Sequence, residues 1–140
     1  DILEKNFIIF SLNAFSRNQD NELKKGRKVY FWDLGLRNRI IKNFKPIEFR
    51  DDVGAIWENF IISERKKKLA YNDDFCDTYF WRNTQQAEID YLEIKNQDID
   101  VYEIKYNPNK KVIFTKSFTN KYHPKNTQVI HNQNYWEFIM

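Results

Sequence analysis

Two carboxylates and a lysine stand close together in one short part of this sequence, residues 86–106. Asp90 lies in its first half, and Glu103 and Lys105 lie two positions apart in its second half. Carboxylate oxygens are the ligands that Mg²⁺ prefers, and a bound divalent ion activates water as a nucleophile. A lysine ammonium beside such a pair can hold the negative charge of a phosphate. The three residue types therefore indicate metal-assisted hydrolysis, if the fold brings them together.

Residues 86–106 are predicted to form two strands that would position these side chains. β-branched and aromatic residues recur at strand spacing, and the polar run Asn96-Gln97-Asp98 predicts a turn between the strands. Successive side chains of a strand point to opposite faces, so Glu88 and Asp90 share one face of the first strand. Glu103 and Lys105 likewise share one face of the second. A hairpin in suitable register would let the acids and the lysine converge.

The composition bounds the class of protein. A chain of 140 residues fits one domain, and 41% hydrophobic with 31% charged residues predicts a globular rather than a disordered chain. No window reaches the roughly 18 apolar residues of a membrane span, and no signal peptide is visible, so we expect no membrane partner. The single Cys76 excludes an internal disulfide and suits a reducing cytoplasm, where we expect the protein.

Charge is unevenly distributed along the chain. Residues 24–50 contain nine Lys and Arg and two acidic residues, whereas residues 72–103 contain nine acidic residues and two basic ones. A site that hydrolyses phosphodiesters needs both kinds of segment, because cations hold the phosphate and carboxylates hold the metal ion. The alternative is that the two segments simply pair with each other.

Hydrophobic patterning predicts the remaining elements. We expect strands at 5–11, 27–32, 77–82, 127–131 and 136–139, helices at 34–44, 54–70 and 110–122, and a polar loop at 13–25. The first two strands would form an antiparallel ribbon. Asp33 would cap the first helix, and Asp51 or Asp52 the second. The first helix would present an apolar face formed by Leu36, Ile40, Ile41 and Phe44.

The predicted helix 54–70 carries a further acid, Glu58. It borders the apolar face of that helix beside Ile61 and Ile62, so its carboxylate could face a sheet. The same pattern fits a solvated glutamate. Other site chemistries find no support, because the sequence has no glycine-rich phosphate loop and no Cys/His cluster with zinc spacing.

The order Glu58, Asp90, Glu103-Ile104-Lys105 resembles the PD-(D/E)XK nuclease superfamily. In that superfamily a helix carrying Glu precedes three strands, a helix and a fourth strand. Asp lies on the second strand and Glu-x-Lys on the third. The resemblance implies that Asp90 and Glu103 bind Mg²⁺, that Lys105 is the catalytic cation, and that Glu58 assists as a further acid or metal ligand. One departure is Ile89, which stands where the superfamily motif has Pro.

A narrower resemblance extends over most of the chain. The segments RKVYFWDLGLRNRI, GAIWENFIISE, AEIDYLEI and VYEIKY resemble the C-terminal domain of unknown function of prokaryotic AAA-type ATPases. In that family an ATPase module and a winged helix precede this domain. Residues 1–32 would then be an N-terminal ribbon or the tail of the preceding module, and residues 50–140 the nuclease-like core. Because the chain opens on Asp rather than Met, we expect a fragment whose ATPase module lies outside it.

These observations predict a single α/β domain over residues 1–140, with a restriction-endonuclease-like central mixed sheet flanked by helices. The first functional hypothesis is Mg²⁺-dependent hydrolysis of DNA. The second is a non-catalytic module that binds DNA or a protein and regulates the attached ATPase. The third is structural, with Lys105 as a local ion-pair partner of Glu103 or Asp90. The sequence leaves the oligomeric state open, as well as the choice between DNA and RNA.

Overall fold

The computed structural model describes residues 2–17 and 26–140. Its elements are α1 Ile2–Lys5, β1 Ile9–Ala14, β2 Arg27–Phe31, α2 Leu34–Ile40, a 3₁₀ turn Ile47–Phe49, α3 Val53–Tyr71, β3 Asp77–Arg82, β4 Glu88–Lys95, β5 Asp98–Ile104, α4 Lys116–Tyr122, β6 Asn126–Ile130 and α5 Tyr135–Ile139. Most of the predicted loop 13–25 lies outside the described residues. No helix in the described ranges is long and apolar enough to cross a membrane.

The six strands form one mixed sheet in the order β2-β1-β3-β4-β5-β6. β1 and β2 pair antiparallel, as the sequence predicts, and so do β3 with β4 and β4 with β5. The pairs β1 with β3 and β5 with β6 are parallel. The predicted α/β class with a mixed sheet flanked by helices is therefore confirmed.

The core has two layers, one on each face of the sheet. α3 and α5 cover one face, where Ile61 and Ile62 are fully buried among strand residues such as Leu12 and Tyr91. α4 covers the other, where Phe118 packs on Trp81. Burial of each such side chain stabilises the fold by roughly 1.5–3 kcal/mol, so the two layers hold the sheet between helices.

Three predicted elements differ in the structure. The predicted strand 136–139 is wrong, because Tyr135–Ile139 is helix α5. The neighbours Phe138 and Ile139 are both buried, and a helix can turn both toward one core, whereas a strand would point them to opposite faces. The predicted helix 110–122 begins only at Lys116, and the predicted strand 5–11 begins only at Ile9, after the helical turn of α1.

The helix caps agree with the sequence in one case only. The Leu36 amide donates to Asp33 Oδ1 at 2.7 Å, which confirms Asp33 as the cap of α2. Asp52 stands at the N-cap position of α3, but its side chain makes no capping bond, because it pairs with Arg37 and Arg50 instead. Those two guanidinium groups hold the pKa of Asp52 below its usual range, with the hydrogen bond from Arg50 as the largest cause.

Candidate active site

The open end of the β4–β5 hairpin, away from its turn, brings together Asp90, Glu103 and Lys105. Lys105 Nζ lies 2.5 Å from Asp90 Oδ2 and 2.9 Å from Glu103 Oε2. Both acids are buried, and each is only 7% exposed. The convergence that the sequence predicts for these three residues is therefore present.

The backbone around Asp90 explains why its carboxylate is held in place. The ladder between β4 and β5 runs as far as the pair Tyr91 and Tyr102. Beyond that pair, the Ile104 amide donates to Asp90 Oδ2 at 2.9 Å, so the carboxylate takes the role of a strand carbonyl. On the other side of β5, the Lys105 amide donates to the carbonyl of Ile130 in β6 at 2.9 Å. Acid and lysine are thus both fixed by main-chain hydrogen bonds.

A β-bulge lies at the same place. Tyr79 pairs with Leu92 and Trp81 with Ile89, so two residues of β4, one of them Asp90, stand opposite one residue of β3. Ile89 and Leu92 are buried in the layer beneath α4, whereas Tyr91 is buried in the layer beneath α3, so residues three positions apart share a face across the bulge. Bulges are common beside active sites because they redirect a side chain. The bulge is a feature that the alternating pattern of the sequence does not reveal.

Burial and the short distances within this group shift the pKa values of Glu103 and Asp90. Burial, followed by repulsion from Asp90, raises the pKa of Glu103 to about 7, although Lys105 opposes this shift. Burial would also raise the pKa of Asp90, but the charge and hydrogen bond of Lys105 and the Ile104 amide outweigh it and lower that pKa. Two acids that repel each other while sharing one ammonium form a site that an additional cation would stabilise.

Glu58 faces the sheet from α3, but its contacts are to β2. Its Oε1 accepts a hydrogen bond from the Tyr30 hydroxyl at 2.6 Å and one from Lys28 Nζ at 3.0 Å. Lys28 also forms an ion pair with Glu88, and the charge of Asp90 helps to raise the pKa of Lys28 against its burial. Glu58 is therefore connected to the Asp90 group through Lys28 rather than by a direct hydrogen bond.

Lys28 and Tyr30 are the site residues that the sequence reasoning missed. The pattern Lys28-Val29-Tyr30 places the lysine and the tyrosine on one face of β2, which was a usable signal. That face contacts Glu58 because β2 packs against α3, and the sequence does not show this packing. The ion pair between Lys28 and Glu88 also means that the basic and acidic segments do pair with each other at this point.

Mg²⁺ requires oxygen ligands, and the carboxylates of Asp90 and Glu103 can supply them. Mg²⁺ sites commonly use one or two carboxylates and complete the coordination with water, and the neighbouring Asp90 and Glu103 fit that pattern. Within residues 2–17 and 26–140, no cluster of three or more His, Cys, Asp or Glu side chains could hold a metal ion. Asp90 and Glu103 have the chemistry of a two-carboxylate site, and metal binding by Asp90, Glu103 and Glu58 stays a prediction.

The fold and this group of side chains define an α/β domain with a buried acid–lysine centre on a mixed sheet. Residues 53–136, more than half of the chain, match the family described as Domain of unknown function (DUF4143), and the chain belongs to this family. The family is found as a C-terminal domain of AAA-type ATPases. Residues 1–46 match a second family, Domain of unknown function (DUF8612). No curated protein and no solved structure matches the chain.

The two family matches contribute to one site. Lys28 and Tyr30 lie within residues 1–46, which match DUF8612, whereas Glu58, Asp90 and Glu103 lie within residues 53–136, which match DUF4143. Since β1 pairs with both β2 and β3, the same sheet runs through both matched regions. The candidate site is therefore composed of residues from both.

Proposed function

We propose that this chain is a PD-(D/E)XK-type nuclease domain at the C-terminus of an AAA-type ATPase, and that it hydrolyses phosphodiester bonds of DNA with Mg²⁺. The observation that carries the proposal is the position of Lys105 Nζ, 2.5 Å from Asp90 Oδ2 and 2.9 Å from Glu103 Oε2. Two buried carboxylates that share one ammonium bring together the residue types that phosphodiester hydrolysis with a metal ion requires.

The order of the elements supports the same proposal. α3, β3, β4, β5, α4 and β6 follow one another as helix, three strands, helix and strand, which is the order that the resemblance to the nuclease superfamily implies. Glu58 lies on the helix, Asp90 on the second of the three strands and Glu103 on the third. Lys105 follows directly after the third strand. Glu58, Asp90 and Glu103 thus lie on the kinds of element that the superfamily pattern names, which supports the proposal.

The proposed roles follow from the chemistry of each group. Asp90 and Glu103 would hold Mg²⁺, which when bound would supply an activated water and offset charge on the phosphate. Lys105 would donate hydrogen bonds to the phosphate or to the attacking water. Burial disfavours its charge, but Asp90 and Glu103 outweigh burial and raise the pKa of Lys105 to about 12. Lys105 therefore stays protonated at neutral pH and would act as a cation rather than as a base.

The remaining proposed roles concern positioning and the DNA backbone. Glu58, held by Tyr30 and Lys28, would assist as an acid next to the centre rather than as a main ligand. Three cations on and after α2 are exposed and could contact phosphates, namely Arg39, Lys42 and Lys45. Exposed cations of this kind attract nucleic acids through the release of counterions.

The proposal is tested by incubating supercoiled plasmid with the purified protein and Mg²⁺ or Mn²⁺. We expect nicked and linear products from the unsubstituted protein and at least a hundredfold loss of rate in Asp90→Ala and Lys105→Ala. Lys125→Ala is a matched control, because Lys125 forms an exposed ion pair with Asp98 far from the centre. Cleavage that persists in both Asp90→Ala and Lys105→Ala would exclude this mechanism.

One observation favours the second function, a non-catalytic module that binds DNA or a protein and regulates the ATPase. Asp90 and Glu103 are paired with Lys105, and Glu58 and Glu88 with Lys28, so cations already accompany all four acids without any metal. Such a module would bind DNA without a metal ion, with an affinity that falls steeply as salt rises. Salt-dependent binding of DNA in EDTA together with no cleavage in Mg²⁺ or Mn²⁺ would support this module, because the proposed nuclease would also bind DNA but would cleave it once the metal ion is added.

A further inference from the structure

A cleft lies at the loop that connects β3 to β4. Its volume is about 470 Å³, and it is lined by Arg82, Asn83, Thr84 and Gln86. The volume falls within the range of about 300–1,000 Å³ that is typical of ligand-binding pockets. The lining consists of a guanidinium, two amides and a hydroxyl, so the cleft is suited to a ligand rich in hydrogen-bond donors and acceptors.

One carboxylate joins this cleft to the candidate site. Glu88 accepts hydrogen bonds from the guanidinium of Arg82 at the cleft and forms an ion pair with Lys28 on the other side. Glu88 precedes Asp90 by two residues in β4, which is about 7 Å along a strand. That distance is roughly two base steps of a stacked strand, since bases follow one another at about 3.4 Å. A nucleotide about two steps from a phosphate at Asp90 would therefore lie beside Glu88, whose partner Arg82 lines the cleft.

Hydrogen bonds from the Asn83 side chain fix the backbone of the loop 83–87, while the side chains of Thr84 and Gln86 stay exposed. Buried Asn83 accepts hydrogen bonds at Oδ1 from the amides of Gln85, at 3.0 Å, and Ala87, at 2.9 Å. Gln86 has a φ of 63°, which turns the chain back into β4. In the described part of the chain, the side chains of Thr84 and Gln86 are exposed and make no hydrogen bond of their own. They are therefore free to bind a ligand.

We propose that this cleft binds the edge of one nucleobase of a DNA strand whose phosphate lies at Asp90 and Glu103. The inference rests on the proposed function and adds the element that would set base preference, the loop 83–87. Glutamine and asparagine amides, arginine and threonine are the side chains that recognise base edges by hydrogen bonding. Thr84 and Gln86 present two of these types on the loop, and Arg82, the last residue of β3, adds a guanidinium to the lining of the same cleft.

The test compares Thr84→Ala/Gln86→Ala with the unsubstituted protein. Fluorescence anisotropy measures the affinity for four single-stranded oligonucleotides that differ only in the base composition of their centre, in EDTA so that no cleavage occurs. We expect a base preference in the unsubstituted protein and a loss of about tenfold in affinity for the preferred base in the variant. The matched control is Thr127→Ala/Gln128→Ala, which removes the same side-chain types from exposed positions of β6.

Two outcomes overturn the inference. One is equal affinity of the variant and the unsubstituted protein for the preferred oligonucleotide, and the other is the lack of any base preference in the unsubstituted protein. The two proposals fail separately. A protein that cleaves no plasmid but loses base preference in the variant disproves the nuclease and supports the cleft. A protein that cleaves plasmid with an unchanged base preference in the variant disproves the cleft alone.

Discussion

At the scale of single residues, the candidate site is marked by acids that share their cations. Lys105 forms ion pairs with Asp90 and Glu103, while Lys28 forms ion pairs with Glu58 and Glu88. Pairs of this kind are weakly stabilising when complete and costly when one partner is removed, because a buried charge is then left without compensation. The behaviour of these groups with pH and with added cations therefore reports on the site without any assay of activity.

The stability of the fold is expected to decrease as the pH rises from about 4.5 to about 7. Burial and the charge of Asp90 raise the pKa of Glu103 to about 7, so over this range the folded chain keeps a proton that the unfolded chain has lost. The resulting stabilisation is complete at low pH and is lost as the pH rises through the folded pKa. Urea unfolding should give a Glu103 contribution of about 3 kcal/mol between these limits.

Glu103→Gln provides the comparison for this prediction, because it cannot ionise. The difference in unfolding free energy between this variant and the unsubstituted protein should grow with pH across the same interval. The lowered pKa of Asp90 affects stability only at more acidic pH, so it does not mask the effect. A difference that is independent of pH would show that Glu103 titrates normally.

Lys28→Met is expected to increase the stabilisation of the fold by Mn²⁺. The variant removes the ammonium from Glu58 and Glu88 and its charge from the surroundings of Asp90, so the site becomes more negative and attracts a cation more strongly. The measurement is the rise in melting temperature on addition of Mn²⁺, which reports binding to the folded state. Lys125→Met should respond like the unsubstituted protein, and a smaller response of Lys28→Met would contradict the argument.

At the scale of elements, the β4–β5 hairpin decides where the acids lie. Asn96 and Gln97 both have positive φ, at 50° and 73°, and Asp98 pairs with Lys95. This is a two-residue type I′ turn, one residue shorter than the predicted turn, and it sets the register of the strands. The bulge in β4 then displaces the alternation by one residue next to Asp90. Turn and bulge together align Asp90 with Glu103 and Lys105.

Gln97→Gly is expected to stabilise the fold by about 0.5–1 kcal/mol. Glycine is preferred at the second position of a type I′ turn because it adopts positive φ without strain. The free energy of unfolding from urea titration measures the gain. Gln133→Gly is the control, since Gln133 lies in a turn but is not among the residues with positive φ, and it should bring no gain. Destabilisation by Gln97→Gly would mean that the Gln97 side chain is needed.

At the scale of the whole molecule, the N-terminal ribbon belongs to the same sheet as the rest. β1 lies between β2 and β3, and its Phe10 and Leu12 are buried in the core beneath α3. Lys28 and Tyr30 reach α3 from the edge strand β2. The region that matches DUF8612 thus supplies a strand pair, part of the core and part of the candidate site.

Removal of residues 1–32 is therefore expected to prevent stable folding of the remainder. The deletion exposes the edge of β3 and removes several buried side chains, each contributing roughly 1.5–3 kcal/mol, from a total stability of about 5–15 kcal/mol. Circular dichroism during heating would show no cooperative transition. A truncated chain that melts near the temperature of the complete one would show that the ribbon is only the tail of a preceding module.

The sequence predicted those elements correctly whose structure depends on interactions between residues close together in the chain. β2, α3, β3 and the two strands around Asp90 and Glu103 follow from hydrophobic periodicity, and Asp33 follows from capping preferences. The helix α5 was missed because a stretch of four or five apolar residues has no distinctive period. The predicted helix 34–44 ends at Ile40, so Phe44 of its predicted apolar face lies beyond the helix, and Ile40 is 59% and Phe44 63% exposed.

The contacts around the candidate site likewise divide into those that the sequence predicts and those that only the tertiary structure shows. The sequence alone determined that Asp90, Glu103 and Lys105 lie on neighbouring strands, because turn chemistry and strand alternation act within a few residues. Only the tertiary structure decided that Glu58 binds Lys28 and Tyr30, and that Glu88 connects them to the cleft at Arg82. Those contacts join segments up to about sixty residues apart, and they depend on the strand order and on one bulge, neither of which leaves a local pattern.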